Sequence, residues 1–170
     1  GLQVFNLSSK LNFQDVPGLI KNDDYREKHI SSILNLVDVD VQSVRERKFK
    51  IVVDGINSSG GKYVPYLLQK LGVHVVELNC NPDGHFAHNP EPIPKNLDDL
   101  CVMVKAHEAD LGIAVDPDVD RLVLVCEDGS FFGEEYTIVS IAEYILSKYP
   151  NSSVVSNYQQ PWRLKMSLIN

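Results

Sequence analysis

The stretch KFKIVVDGINSSGGKYVPYLLQKLGVHVVEL (48–78) decides the fold of this chain. It begins with a short β-branched run that ends in Asp-Gly, and it closes with a second apolar run, VHVVEL (73–78). Between these runs, residues 57–72 open with polar residues and glycines and end in Leu-Gly, which predicts a helix followed by a C-terminal glycine. Strand, helix and strand in about 30 residues form a βαβ unit, so the two strands are predicted to be parallel, with a right-handed crossover.

Upstream of this unit, apolar residues at helical spacing predict helical structure over residues 22–47. Asn22 or Asp23 can cap the start, and a second short helix is predicted from Val41 to Arg47, with Asp40 as its N-cap. Charged helices of this kind usually present a solvated face, so we assign them no chemistry.

Downstream of the unit, residues 79–96 are rich in Pro, Asn and Gly, which predicts a long irregular loop. A helix is predicted over 97–109, followed by two short apolar strands over 110–115 and 121–129. These two strands are predicted to pair antiparallel, because the residues between them are too few for a crossover helix.

The end of the chain adds two more predicted elements. EEYTIVSIAEYILSKYP (134–150) predicts an amphipathic helix, and SSVVSN (152–157) is typical of the start of a strand. The predicted fold class is α/β: a three-layer α/β/α domain with a mixed, mostly parallel sheet of about four strands.

The bulk composition excludes several classes of function. A net charge of −7 over 170 residues argues against a nucleic-acid-binding surface and against an anionic membrane surface. No apolar run approaches the ~18 residues of a transmembrane helix. The chain has three widely spaced cysteines, Cys80, Cys101 and Cys126, and none of them forms a C-x-x-C pair. This pattern favours reduced thiols in a cytoplasmic protein over a zinc site.

The segment DPDVDR carries the clearest sign of chemistry. Asp116, Asp118 and Asp120 stand at alternate positions between two apolar strands, which predicts limited exposure, and ligands of α/β sheets lie beyond strand carboxyl ends. Like charges repel unless a cation neutralises them, and carboxylate oxygens favour Mg²⁺, Mn²⁺ or Ca²⁺ over zinc. Pro117 restricts the loop backbone. Arg121 is suited to bind a phosphate beside such a metal.

The same residues allow other interpretations of this segment. A solvated surface turn would need no ligand. An EF-hand loop is excluded, because Arg121 replaces the required glycine and an apolar strand follows in place of a helix. An aspartyl-phosphate phosphatase, with Asp116 as nucleophile, stays an alternative, although Asp120 departs from that pattern. A non-catalytic interaction module that keeps the acidic loop is the other alternative.

Three motifs resemble one enzyme family. ADLGIAVDPDVDR (109–121) resembles the metal-binding loop of the α-D-phosphohexomutases, the phosphoglucomutase and phosphomannomutase family. FKIVVDGINSSGGKYVPYLLQKLGV (49–73) looks like the opening strand and helix of that family's second domain. NPDGHFAHNPEP (81–92) resembles the loop that follows. Because the three motifs occur in the family's order, the resemblance is specific, and it extends over residues 22–150.

The resemblance implies an activity and a set of site residues. Members of the family are isomerases that interconvert hexose 1-phosphate and hexose 6-phosphate through a phosphoserine and a bisphosphorylated sugar. The family's residue roles transfer to the positions that match its metal-binding motif. There, Asp116, Asp118 and Asp120 would bind Mg²⁺, and Arg121 would contact the phosphoryl group near the serine. The implied partners are a hexose phosphate and the other domains of the same enzyme, with neither nucleic acid nor membrane among them.

The chain also departs from the family pattern. It contains no T-A-S-H motif for the catalytic serine and no G-E-x-[SA]-G motif for sugar binding, and HNP (88–90) follows Phe-Ala with no serine. We therefore expect a metal-binding domain II over 22–150, a linker from a missing upstream domain over 1–21, and the start of domain III or an altered tail over 151–170. Such a chain is expected to be inactive alone.

Overall fold

The computed structural model of the protein describes residues 25–155. The expected linker over 1–21, the predicted cap at Asn22 or Asp23 and the tail beyond 155 lie outside the described residues. Among the described helices, none combines the length and the apolar character that crossing a bilayer requires.

Five helices and four strands make up the described part of the chain, with a short 3-10 turn at Pro94–Asn96. In chain order they are α1 (Tyr25–Leu34), α2 (Val41–Arg47), β1 (Lys50–Asp54), α3 (Gly60–Lys70), β2 (His74–Leu78), α4 (Asp98–Ala106), β3 (Leu111–Val115), β4 (Leu122–Cys126) and α5 (Glu134–Lys148).

The four strands form one mixed sheet in the order β2-β1-β3-β4. β1 pairs in parallel with both β2 and β3, and β3 pairs antiparallel with β4. The predicted βαβ unit and the predicted antiparallel pair are both confirmed. As a consequence, the carboxyl ends of β1, β2 and β3 lie at one edge of the sheet, where β4 begins.

Alternation along β1 builds a core on each face of the sheet. Ile51 and Val53 pack in a buried cluster with Leu68 of α3. Val52, between them, belongs to a second buried cluster that includes Leu100 and Val104 of α4. Each such side chain contributes roughly 1.5–3 kcal/mol by its burial. Helices therefore cover both faces, and the predicted three-layer α/β/α class is confirmed.

The elements that flank the sheet show two agreements with prediction and one difference. Asp40 caps α2 as predicted, since its Oδ1 accepts a hydrogen bond from the backbone N–H of Ser43. The predicted helix over 134–150 is confirmed as α5, in which no described side chain is buried and Ile141 is 56% exposed. Residues 152–155 form no strand, because they do not pair with the sheet.

The start of α3 packs closely against the loop that leaves β2. A Cβ atom added at Gly61 would lie 2.6 Å from Cys80 Cα and 2.7 Å from the Cys80 carbonyl oxygen. Backbone atoms cannot move aside as a flexible side chain can, so only glycine allows this contact.

We predict that Gly61→Ala destabilises the chain by about 1–3 kcal/mol, as overpacking of a tight contact does. Helix propensity alone would favour alanine by ~1 kcal/mol, so the sign tests which effect dominates. Urea denaturation measures the free energy of unfolding, and Lys62→Ala, at the next and exposed position, is the control. A stabilised Gly61→Ala variant would contradict the packing argument.

Candidate metal centre

The acidic loop connects β3 to β4 at the carboxyl edge of the sheet, so Asp116 directly follows a buried strand. One carboxylate oxygen from each of Asp116, Asp118 and Asp120 lies within 4.8 Å of the others. The structure thus brings together the three aspartates that the sequence singled out, and their ligand role stays a prediction.

Asp116 organises the loop around its own carboxylate. Its Oδ1 accepts hydrogen bonds from the backbone N–H groups of Asp120 and Arg121, both at 3.0 Å. The backbone N–H of Val119 donates to the Asp116 carbonyl oxygen at 3.1 Å, and Val119 adopts a left-handed φ of 64°. These bonds fold the chain back on itself and fix the first carboxylate of the group.

Exposure differs among the three aspartates. Asp116 is only 8% exposed, whereas Asp118 and Asp120 are exposed to solvent. The expectation that the flanking strands limit the exposure of the whole triplet is therefore wrong for two of its members. The fold shields only the start of the loop, since residues 118–121 are all exposed.

The carboxylates shift one another's pKa in opposite directions. Burial alone would raise the pKa of Asp116, but hydrogen bonds from the Arg121 backbone, from Asp120 and from Asp118 outweigh it and lower that pKa. The pKa of Asp120 is raised, first by its hydrogen bond to Asp116 and then by the charges of Asp118 and Asp116. Close like charges of this kind, with hard oxygen donors and one fixed carboxylate, fit a divalent cation.

Arg121 follows the triplet and contacts the long loop between β2 and α4. Its Nη1 lies 3.4 Å from Oε1 of Glu91, and both side chains are more than half exposed, at 58% and 55%. Exposed ion pairs of this type are weak, so the guanidinium is free to exchange Glu91 for another anion. Asn89 and Asn96 hold the backbone of Glu91 through side-chain hydrogen bonds of 3.1 and 2.8 Å.

A buried pair anchors the same long loop to the end of β1. Asp54 is 1% exposed, and its Oδ2 lies 3.0 Å from Nε2 of His88. Its Oδ1 accepts hydrogen bonds from the Ile56 backbone and from the Asn79 side chain, at 3.0 and 3.2 Å. His88 Nδ1 lies 2.9 Å from the Asn89 carbonyl oxygen, so both ring nitrogens face acceptors. His88 therefore links the long loop to the end of β1.

The sequence did not predict the contacts of Glu91 or of Asp54. Asp54 lies in the motif over 49–73 and Glu91 in the motif over 81–92. Membership of these motifs is the signal by which sequence reasoning could have found them. Their partners lie 30 and 34 residues away along the chain, so the pairing depends on how the loops meet at the sheet edge.

Comparison with known proteins assigns this chain to a family. Residues 27–129 match the family model for "Phosphoglucomutase/phosphomannomutase, alpha/beta/alpha domain II". A protein of Thermococcus kodakarensis named "Phosphoglucomutase/phosphomannomutase" is 41% identical over 130 residues, which cover 76% of this chain and 28% of that protein. A "Probable phosphoglucosamine mutase" of Methanopyrus kandleri is 37% identical over 147 residues, which cover 86% of this chain and 31% of that protein.

A solved structure gives the same result. The crystal structure of a phosphoglucomutase/phosphomannomutase family protein from Burkholderia thailandensis superimposes with a TM-score of 0.65 and 33% identity, covering 74% of this chain and 27% of that one. The chain thus spans about three-tenths of the length of the proteins that it matches.

We predict that His88→Ala destabilises the chain by about 1–3 kcal/mol, because it leaves Oδ2 of the buried Asp54 without its partner. His85→Ala, in the same loop, is the matched control: the His85 side chain is 90% exposed, so a change within about 0.5 kcal/mol is expected. Thermal and urea unfolding of both variants measure the difference. Equal effects of the two substitutions would contradict an anchoring role for His88.

Proposed function

Because this chain belongs to the phosphoglucomutase/phosphomannomutase family, as its α/β/α domain II, we propose that it is the metal-binding domain of a phosphohexomutase. The single observation that carries the proposal is the convergence of three carboxylates within 4.8 Å, at the carboxyl edge of the sheet. The family assignment favours the mutase over the phosphatase alternative and over an interaction module.

The proposed ion is Mg²⁺, held by Asp116, Asp118 and Asp120. When bound, it would neutralise charge on a phosphoryl group that is being transferred. The main-chain hydrogen bonds to Asp116 keep one carboxylate in place. The exposure of Asp118 and Asp120 leaves the other side of the group open to solvent, and therefore to a phosphoryl oxygen from another part of the enzyme.

Arg121 is the proposed phosphoryl-binding residue of this domain. Its backbone N–H is fixed on Asp116, while its guanidinium makes only an exposed contact with Glu91. A phosphoryl group can displace that carboxylate, because a planar guanidinium binds two phosphate oxygens at once. The acidic loop thus supplies both a cation-binding group and a cationic side chain within a few residues.

The complete reaction belongs to a longer polypeptide in this proposal. Hexose 1-phosphate and hexose 6-phosphate would be interconverted there through a phosphoserine and a bisphosphorylated sugar, with the serine and the sugar-binding groups on other domains. We further propose that the enzyme is cytoplasmic and serves carbohydrate metabolism. We also propose that the metal-binding domain extends over residues 22–150.

We predict that the chain binds Mn²⁺, used as a paramagnetic substitute for Mg²⁺, and that Asp116→Asn weakens binding at least about tenfold through the lost ligand charge. Asparagine can still accept the two backbone N–H bonds, so the loop fold should persist. Asp128→Asn is the control, since Asp128 lies on the turn after β4, outside the acidic loop, and accepts hydrogen bonds from Ser130. Electron paramagnetic resonance titration measures the free ion; equal affinities in all three proteins would contradict the site.

We predict no mutase turnover by this chain with glucose 1-phosphate and a hexose bisphosphate activator, because its 170 residues contain no T-A-S-H motif. A coupled assay of hexose 6-phosphate formation tests this. Turnover that persists in Asp116→Asn would come from a contaminating host enzyme. Turnover that is present in the wild-type chain and lost in that variant would overturn the prediction.

A further inference from the structure

We propose that Ser58 and Ser59 are positioning residues for the acidic loop. Their hydroxyl groups hold the Pro117 carbonyl, and so set the spacing of the carboxylates before an ion binds. The effect on ion binding rests on the proposed function, whereas the effect on loop geometry does not.

The two hydroxyls converge on one acceptor. Ser58 Oγ and Ser59 Oγ each donate to the Pro117 carbonyl oxygen at 2.8 Å. A carbonyl oxygen has two lone pairs, so both bonds can form at once. Pro117 stands between Asp116 and Asp118, and its ring already restricts φ. The peptide that joins the first two carboxylates is therefore held by its neighbours from outside the loop.

A local role does not account for these hydroxyls. Ser59 occupies the N-cap position of α3, yet its side chain makes no capping hydrogen bond to the helix. A serine at an N-cap usually accepts a bond from its own helix, and here the hydroxyl donates to a loop 58 residues away. The turn at Ser58 is closed by its backbone N–H, which donates to the Gly55 carbonyl oxygen at 2.9 Å.

Close packing beside the serines brings the two segments together. A Cβ atom added at Gly60 would lie 2.4 Å from Val115 Cγ2 and 3.4 Å from Val119 Cγ2. The start of α3 therefore rests against the end of β3 and against Val119 within the acidic loop. Ser58, Ser59 and Gly60 are consecutive, so one short turn after β1 supports the loop after β3.

This support has a consequence for affinity. A loop that already holds its carboxylates together loses less conformational freedom when an ion binds. Without the hydroxyls, the ion itself would have to order the peptide at Pro117. Since a hydrogen bond contributes about 0.5–1.5 kcal/mol net, losing one should weaken ion binding about threefold, and losing both about tenfold.

The test compares Ser58→Ala, Ser59→Ala and the double variant with the wild-type chain by Mn²⁺ titration. We expect about threefold weaker binding in each single variant, about tenfold in the double variant, and recovery in Ser59→Thr, which keeps a hydroxyl. Ser32→Ala is the matched control: the Ser32 hydroxyl also donates to a carbonyl oxygen, that of Lys28 at 2.9 Å, but within α1. If the wild-type chain binds Mn²⁺, unchanged affinity in the double variant would overturn the proposed effect on ion binding.

A second readout needs no ion. Amide hydrogen exchange of Val119, Asp120 and Arg121 reports the loop directly, because these N–H groups donate to Asp116. We expect about tenfold faster exchange in the metal-free double variant, with amides of α4 unchanged. Unchanged exchange at the three amides would overturn the positioning role. If the wild-type chain binds no Mn²⁺ but the double variant exchanges faster, the metal proposal fails while the positioning role stands.

Discussion

Parallel pairing of β1 with both of its neighbours is the constraint on which the candidate site depends. Because parallel strands end at the same edge, the segments that follow β1, β2 and β3 must meet there. The turn after β1 supplies Ser58 and Ser59, the loop after β2 supplies His88 and Glu91, and the loop after β3 supplies the aspartates. Each segment contacts another through side chains whose distances are at most 3.4 Å. A strand order that moved β3 away from β1 would separate Ser58 and Ser59 from Pro117.

The acidic loop combines a fixed part with an open part, and this division fits the proposed role in phosphoryl transfer. Asp116 is buried and satisfied by main-chain donors, so its position follows from the fold. Asp118, Asp120 and Arg121 are exposed to solvent. The pKa of Asp120 is raised first by its hydrogen bond to Asp116 and then by the charges of Asp118 and Asp116, so like-charge repulsion contributes to it. In the proposed function, a divalent cation would relieve that repulsion.

Prediction from sequence succeeded where the signal was local. The apolar run at 51–53, the glycines that open α3 and the short spacing between β3 and β4 each act within a few residues, so the strands, their directions and the acidic triplet could be predicted. It failed where burial depends on what packs nearby. The exposure of Asp118 and Asp120 and the absence of a strand over 152–155 are of this second kind, because periodicity cannot tell which surface a neighbouring element covers.

The sequence by itself determined the fold class, the family and the identity of the three aspartates, because strand alternation, turn chemistry and motif order are written along the chain. Only the tertiary structure decided which residues support those aspartates. Pro117 meets Ser58 and Ser59 across 59 and 58 residues, and Asp54 meets His88 across 34. No local pattern encodes these pairs, since each arises from the lateral order of strands that are distant in sequence. Tertiary structure also decided that, of the three aspartates in the acidic loop, Asp116 is buried while Asp118 and Asp120 are exposed.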